Sequence, residues 1–541
     1  MSPSLNTISA GLREKNRGHL PFEGLLTSIL DFFQSFGENK KMSADLLFMV
    51  TYMASITTAR ATRPEIFAYT AARKEFVPSK YFVKIEIFVK KWNYSYVDAL
   101  TIMAERVKNT MLQSMLNRYA NSIESGVPDE DFLTRELMTI RSIYRNTYEQ
   151  GLEMLKKWGD AYIAMLFSGA LVGIIIMISV AIFSPENIQA TLMSSYFIII
   201  CVSLFGLVTM YRAVPSDQKV HDLPRGSKEQ GMIHRMSRKV LPTAFIIAII
   251  FLVLSLLGII PDAYGLIMLI TGLLLFPLGI IGYLDDANII NRDSDFTVFI
   301  RSLGAVMGGK GVTITHALNE IDRKSLITLE PLVNGVYSKL NLGLDDKLTW
   351  ERFIGESGSN LIYKYLNIFR DSIELGGSPN QIGEIVGSSM LEQVLLRNNR
   401  HTISMGFVVL LIPMHAMMIA IFLFLFHILL RMSQAISDVV QSLGPMSSGG
   451  MAGGAGTMSG TMGGGVTMFV NFPIAEMTIY VMIIITIITI SNILAGRIVF
   501  GGGHYMFYFF ASILCTVTGI VYIAAPFIIG LFFNIPSFQG V

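Results

Sequence analysis

Few residues in this chain have the types and spacing that chemistry requires. Lys310 closes Gly304-Ala-Val-Met-Gly-Gly309-Lys310-Gly311, which matches a phosphate-binding loop through its lysine. The segment lacks the Ser or Thr that would hold Mg²⁺, and a helical pattern precedes it where a buried strand is required. It reads as a Gly-rich helix end, with Arg60 in the corresponding place earlier in the chain. Asp262 and Asp285 could form a proteolytic pair only if they met. They flank one apolar run, and about 23 helical residues at 1.5 Å hold them roughly 35 Å apart. The interiors of the apolar runs offer His415 and His427 but no Asp, Glu, Lys or Arg, and ionisable groups at that depth mark proton paths by default. His415 follows Pro413, which frees a backbone carbonyl, so it reads as a satisfied core histidine. The eight histidines form no His-Glu-x-x-His, and Cys201 and Cys515 both lie in apolar runs without metal-ligand spacing. The expectation is a protein that is not an enzyme and holds neither cofactor nor metal.

The elements that carry these residues are dominated by membrane. Of 541 residues 52% are hydrophobic and 15% charged, and the mean hydropathy is +0.52. Soluble domains carry roughly 25% charged residues. Seven apolar runs, at about 161–183, 191–211, 241–260, 264–284, 405–430, 474–495 and 505–533, each supply the roughly 20 helical residues that cross a hydrocarbon core. The segment 212–240 holds seven Lys or Arg against three Asp or Glu, which places it in the cytoplasm. Parity then puts 1–159 and 285–404 on the same side. Asp285 and Asp286 weaken the local cationic bias of the second segment. Residues 1–19 are polar and lack an apolar core followed by a cleavage site, so they do not read as a secretory signal and are expected in the cytoplasm.

Two polar segments repeat at one offset. Asp45-Leu-Leu-Phe48 and Asp295-Phe-Thr-Val298 lie 250 residues apart, as do Tyr119-Ala-Asn-Ser-Ile-Glu-Ser-Gly126 and Phe369-Arg-Asp-Ser-Ile-Glu-Leu-Gly376. Pro128 and Pro379 follow, shifted by one. Leu46, Met49, Val50 and Met53, like Phe299, Leu303, Val306 and Met307, recur at helical spacing and predict bundle cores. Gly126 and Gly376 fall where helices should end. Glu124 and Glu374 read as solvated or capping carboxylates, with a polar interface as the alternative.

The predicted fold is all-α: a polytopic membrane protein of about seven spans with two homologous cytoplasmic helical-bundle domains. The expected boundaries are an N-terminal segment 1–44, a first helical domain 45–159, four spans in 160–284, a second helical domain 285–404, and three spans in 405–541. Residues 20–36 predict an amphipathic helix that packs on the first domain or lies on the membrane. Residues 444–467 form a Gly- and Met-rich outer loop.

This duplicated Ser-Ile-Glu-x-Gly turn before Pro, with spans between and after the copies, resembles the F-domain superfamily of type II secretion. Within it the chain is most similar to the platform proteins of archaeal type IV filament machines, of the archaellum J type, over roughly residues 40–533. The resemblance implies an integral membrane scaffold. A hexameric secretion ATPase would dock on it, pilin-like or archaellin subunits would pass into a filament, membrane lipid would surround it, and a homodimer is expected. An adhesion-pilus or secretion platform is the alternative, and a polytopic transporter a distant one. No nucleic-acid partner is implied.

By charge, residues 1–159 hold 21 Lys or Arg against 17 Asp or Glu, and 285–404 hold 12 against 15. Arg60, Arg63, Arg73, Lys74, Lys80, Lys84, Lys90 and Lys91 cluster near the first helical pair, with Arg235, Arg238 and Lys239 in the basic segment. Two readings stand: solvated helix faces near anionic headgroups, or a docking surface for the ATPase.

Overall fold

The computed structural model describes residues 41–183, 187–257, 263–442 and 473–532. The expected amphipathic helix 20–36, Asp262 and the 444–467 loop lie outside them. Sixteen α-helices make up the described chain. In order they are α1 (41–57), α2 (Arg63–Ala72), α3 (Ser79–Trp92), α4 (Tyr96–Arg106), α5 (Thr110–Glu124), α6 (Asp129–Phe183), α7 (Ile188–Ala213) and α8 (Lys228–Leu256). Then follow α9 (Ala263–Lys310), α10 (Ile314–Glu320), α11 (Glu330–Asn341), α12 (Asp346–Ser357), α13 (Asn360–Glu374), α14 (Pro379–Ser442), α15 (Ile474–Phe500) and α16 (Met506–Phe532).

Seven of these helices, α6, α7, α8, α9, α14, α15 and α16, are long and apolar enough to cross a membrane. The protein is an all-α, multi-pass membrane protein. Four of the seven extend beyond their apolar run. In α6, α8, α9 and α14 one unbroken helix carries both the span and a polar extension, and in α6, α9 and α14 nothing in the sequence at the boundary breaks the backbone ladder. The basic segment read as 212–240 is correspondingly shorter. It is non-helical only over 214–227, and Arg235, Arg238 and Lys239 stand on the early turns of α8.

Two compact units divide the chain at Tyr144 and Arg145. In the first, α1 buries Leu46, Met49, Val50 and Met53 completely. Phe67 stacks near Phe82 and Tyr119, at centroid distances of 5.4 and 5.5 Å, and Tyr119 on Phe132 at 4.7 Å. In the second unit Phe296, Phe299, Leu303, Trp350 and Phe353 form the corresponding core.

Helix starts in the two polar segments keep the sequence offset of 250: Tyr96 and Asp346, Thr110 and Asn360, Asp129 and Pro379. So do the caps. Asp45 Oδ2 accepts the Val77 N–H at 3.1 Å, while Asp295 Oδ2 accepts those of Thr328 and Leu329 at 2.7 and 3.1 Å. After α5 the Val127 N–H reaches Ser122 O and the Gly126 N–H reaches Ile123 O. After α13 Gly377 and Gly376 make the same pair of bonds to Ser372 and Ile373. This 6→1, 5→2 pattern needs a left-handed residue. Gly126 and Gly376 supply it at φ +73° and +89°. A Cβ at Gly376 would touch nothing within 4 Å, so Gly376→Ala should cost only the backbone strain, about 1 kcal/mol. Thermal unfolding of the two proteins in detergent checks this, and a loss several times larger would mean the turn has partners beyond its own bonds.

Candidate functional site: a buried ionic hub

In the second unit, the place where α9 and α14 leave their apolar runs is charged and buried. Arg397 on α14 lies at its centre, 4% exposed at the side chain. Its Nε donates to both Asp217 oxygens at 3.0 Å, and its Nη2 to Asp217 Oδ1 at 2.6 Å and to Gln218 O at 2.9 Å. Its Nη1 donates to Asp293 Oδ2 at 2.7 Å. Asp293 also accepts the Ser359 hydroxyl. The planar fork of an arginine is what allows one side chain to join two carboxylates from different elements.

Beside it, Lys219 Nζ lies 2.9 Å from Asp286, with both side chains 2% exposed, and 5.3 Å from the centre of the Phe500 ring. The neighbouring Asp285 accepts the Ser227 hydroxyl at 2.6 Å, the Gln230 amide at 3.0 Å and the Tyr505 hydroxyl. Arg292 spans from Ser357 O at 3.0 Å to Glu229 at 3.2 Å. Arg400 points its Nη2 at Ile498 O and Val499 O, the last carbonyls of α15, where a cation offsets the helix dipole.

The backbone conforms to these side chains. Residues 214–227 run between the helices as an extended strap, and the Asn360 N–H donates to Lys219 O at 2.9 Å. His221 is buried under the strap. Its Nδ1 accepts the Leu223 N–H, so Nε2 carries the proton that reaches Ile354 O at 3.1 Å. Burial pulls this imidazole below its ordinary value and keeps it neutral, against the smaller upward pull of those carbonyls. The α15–α16 turn is Gly501-Gly502-Gly503. Gly501 and Gly502 have φ of +74° and +81°, and a Cβ would stand 2.6 Å from Arg400 Nη2 or 2.7 Å from Asp286 Oδ1 respectively.

Electrostatically, burial alone would push the Asp217 carboxyl up. The charge and hydrogen bonds of Arg397, with Arg400 and Lys219, overcome it and hold the group below its ordinary 3.8. Burial dominates at Lys219 and pulls its ammonium down, although Asp286 opposes the shift. A set of interlocked ions in this setting fixes the relative position of the elements that carry them. Here those elements are the strap, α9, α12–α13, α14 and the α15–α16 turn.

The motif-level candidates stand elsewhere. Lys310 ends α9 and pairs with Glu320 at 2.5 Å, with Gly311 at φ +64° beyond it, so the glycine-rich run is a helix end. His415 is satisfied by side chains and not by the carbonyl freed at Pro413. Its Nδ1 accepts from Asn492 at 2.9 Å, its Nε2 donates to Thr518 at 3.0 Å, and Tyr162 donates to Asn492 Oδ1 at 3.0 Å. Glu124 is exposed, and Glu374 is exposed with Arg370 at 3.5 Å.

The predicted basic set divides. In the first unit Arg63 is bound to Asp129 at 3.1 Å, Arg73 lies 4.9 Å over the Tyr52 ring, and Lys90 pairs with Glu86. Arg60, Lys74, Lys80, Lys84 and Lys91 are exposed. Lys80, Lys84 and Lys91 share a face of α3 with Val83 and Ile87, which are 40% and 38% exposed. In the second unit Arg235, Arg238 and Lys239 are exposed on α8, with Arg238 2.9 Å from His234.

Of the hub residues motif reading reached only Asp285, as half of a proteolytic pair that could not form. One signal was available: Asp286 and Asp293 are seven residues apart on the same face of α9 as the fully buried Ile289, Phe296 and Ile300. A carboxylate at a core position demands a partner.

Spans joined to a helical domain through such a hub define a class, the polytopic all-α membrane protein. Comparison with known proteins narrows it. The chain is 24% identical to flagella accessory protein J of Methanocaldococcus jannaschii over 374 residues, 67% of this chain and 66% of that protein. It is 22% identical to flagella accessory protein J of Methanococcus voltae over 329 residues, 59% of this chain and 58% of that one. The chain thus spans less than two thirds of the length of each of these relatives, and they support the J-type archaellum family that the repeats resemble. No protein-family model matches the chain, and no solved structure does.

Proposed function

We propose that this protein is the membrane platform of an archaeal type IV filament machine. It docks a cytoplasmic hexameric ATPase and couples ATP-driven motion to assembly and rotation of an archaellum from archaellin-like subunits. The supporting observation is the hub. A platform must pass displacement from a polar domain to its spans, and here α9 and α14 run unbroken between the two and are fastened to each other by Arg397 and Asp293. Motility as the output is supported by the relatives, which are named flagella accessory proteins. Both helical domains face the cytoplasm in this reading, with the exposed Arg225, Arg235, Arg238 and Lys239 on that side.

The exposed cations of α3 are the first contact for the ATPase, Lys80 and Lys84 lying over the Tyr81 ring, and Arg63, Arg73 and Lys90 are engaged within the domain. Reversal of Lys80, Lys84 and Lys91 to Glu should weaken ATPase binding about 10-fold or more at low salt, and less at 0.5 M, since exposed charges are screened within about 8–10 Å. Deletion of the gene should abolish both surface filaments and swimming, read by electron microscopy and a swimming assay on the same cells. Loss of thin pili with swimming intact would assign the platform to an adhesion pilus. Persistence of every filament would end the platform reading.

A further inference from the structure

Outside the hub, the second unit exposes apolar side chains where no membrane covers them. Leu342, Leu344 and Leu348 are 79%, 55% and 66% exposed within seven residues, at the corner between α11 and α12. Lipid is not their cover. Arg292 binds Ser357 O, and the rings of Phe296 and Phe353 lie 6.4 Å apart, so α12 runs antiparallel to α9. Its N-terminal end is therefore carried away from the span of α9. At 1.5 Å per residue, Leu284 to Arg292 adds about 12 Å, and Ser357 back to Leu348 about 13 Å. The leucines sit roughly 25 Å beyond the apolar run.

The corner is rigidly built. Gly343 turns the chain at φ +75°, the Leu344 N–H returns to Lys339 O at 3.1 Å, and Asp345 caps α12 through the Leu348 N–H at 2.8 Å. Trp350 Nε1 donates to Asp346 at 3.0 Å. Its rim is acidic: Asp345, Asp346 and Glu351 stand against Lys347, while Arg352 and Arg370 are tied to Glu356, Asp346 and Glu374. The corresponding corner of the first unit, 250 residues earlier, also exposes apolar rings, Trp92 at 62% and Tyr94 at 43%. Ile327, Val298 and Leu395 are exposed singly, at 82%, 54% and 50%, whereas this corner gathers three bare leucines within seven residues and is bare in both copies, as a contact surface is.

The geometry points to the Leu342-Leu344-Leu348 corner as a docking knob for the cytoplasmic ATPase, taken into an apolar pocket of that protein rimmed by Lys or Arg. This rests on the platform reading and adds a second, apolar contact to the cationic one on α3. Apolar anchors at the centre with opposite charges at the edge are what stable docking uses.

The test is binding of the purified ATPase to the full-length protein in detergent. Leu342→Ser/Leu344→Ser/Leu348→Ser should raise Kd at least 30-fold with Tm unchanged, and the loss should persist at 0.5 M salt. Leu348→Lys should weaken binding more than Leu348→Glu, since it sets cation against cation; this pair keeps the test open if the triple variant misfolds. A triple variant that folds and binds within 2-fold of wild type overturns the knob. So does a variant that binds normally but loses self-association, which would give the corner to a second copy. If the wild type binds no ATPase, the platform reading falls together with the knob, and the two failures are told apart by that control.

Discussion

Arg397→Ala should destabilise the protein by about 3–5 kcal/mol, because it leaves Asp217 and Asp293 buried without the ion pair that joins them. Arg397→Lys should recover less than half of that, since a single ammonium cannot fork to two carboxylates on different elements. Denaturation in detergent at neutral pH reads both. A loss below 1 kcal/mol for the alanine variant would mean that the hub is wet or already relaxed. The pH dependence provides an independent check. Asp217 is held below 3.8 in the folded protein, so its contribution is complete above the unfolded value and is lost as pH falls through the folded one. Without Arg397 burial dominates, the carboxyl rises, and the acid limb of the stability curve should move to higher pH. An unmoved limb would contradict the pairing.

The second large effect concerns Lys219 and Asp286. Lys219→Met and Asp286→Leu should each cost about 3–5 kcal/mol, because each strands a buried ion. The double substitution should recover most of that loss. Removing both ions abolishes both desolvation penalties, and the new methionine would pack where Lys219 now lies over Phe500. A coupling of several kcal/mol in this cycle is the signature of the pair. Additive losses would show instead that each side chain works through other neighbours, with Gly502 the first to examine against Asp286.

Local signals carried much of the fold. The seven apolar runs are seven helices, and Gly126 and Gly376 end α5 and α13, because hydropathy and the left-handed preference of glycine act within a few residues. The unbroken passage of α6, α8, α9 and α14 from span to polar helix was not legible, since a change from apolar to polar residues looks the same whether the helix stops or continues. The hub was hidden for another reason. Arg397 meets Asp217 across 180 residues, and Lys219 meets Asp286 across 67. Charge counting by segment placed Lys219 among surface cations and took Asp285 and Asp286 as a weak orientation signal. Both inferences assumed solvent at positions that are in fact filled by opposite charge or a hydroxyl.

The continuity of α9 makes it a lever whose fulcrum is the stretch from Asp286 to Asp293. From Asp293 to Lys310 the arm measures about 26 Å, and from Asp285 back to Ala263 about 33 Å. The arms are nearly equal, so the gearing is close to one. A sideways push of about 3 Å at Lys310 would return as a shift of about 4 Å at Ala263, in the opposite direction and across the thickness of the bilayer.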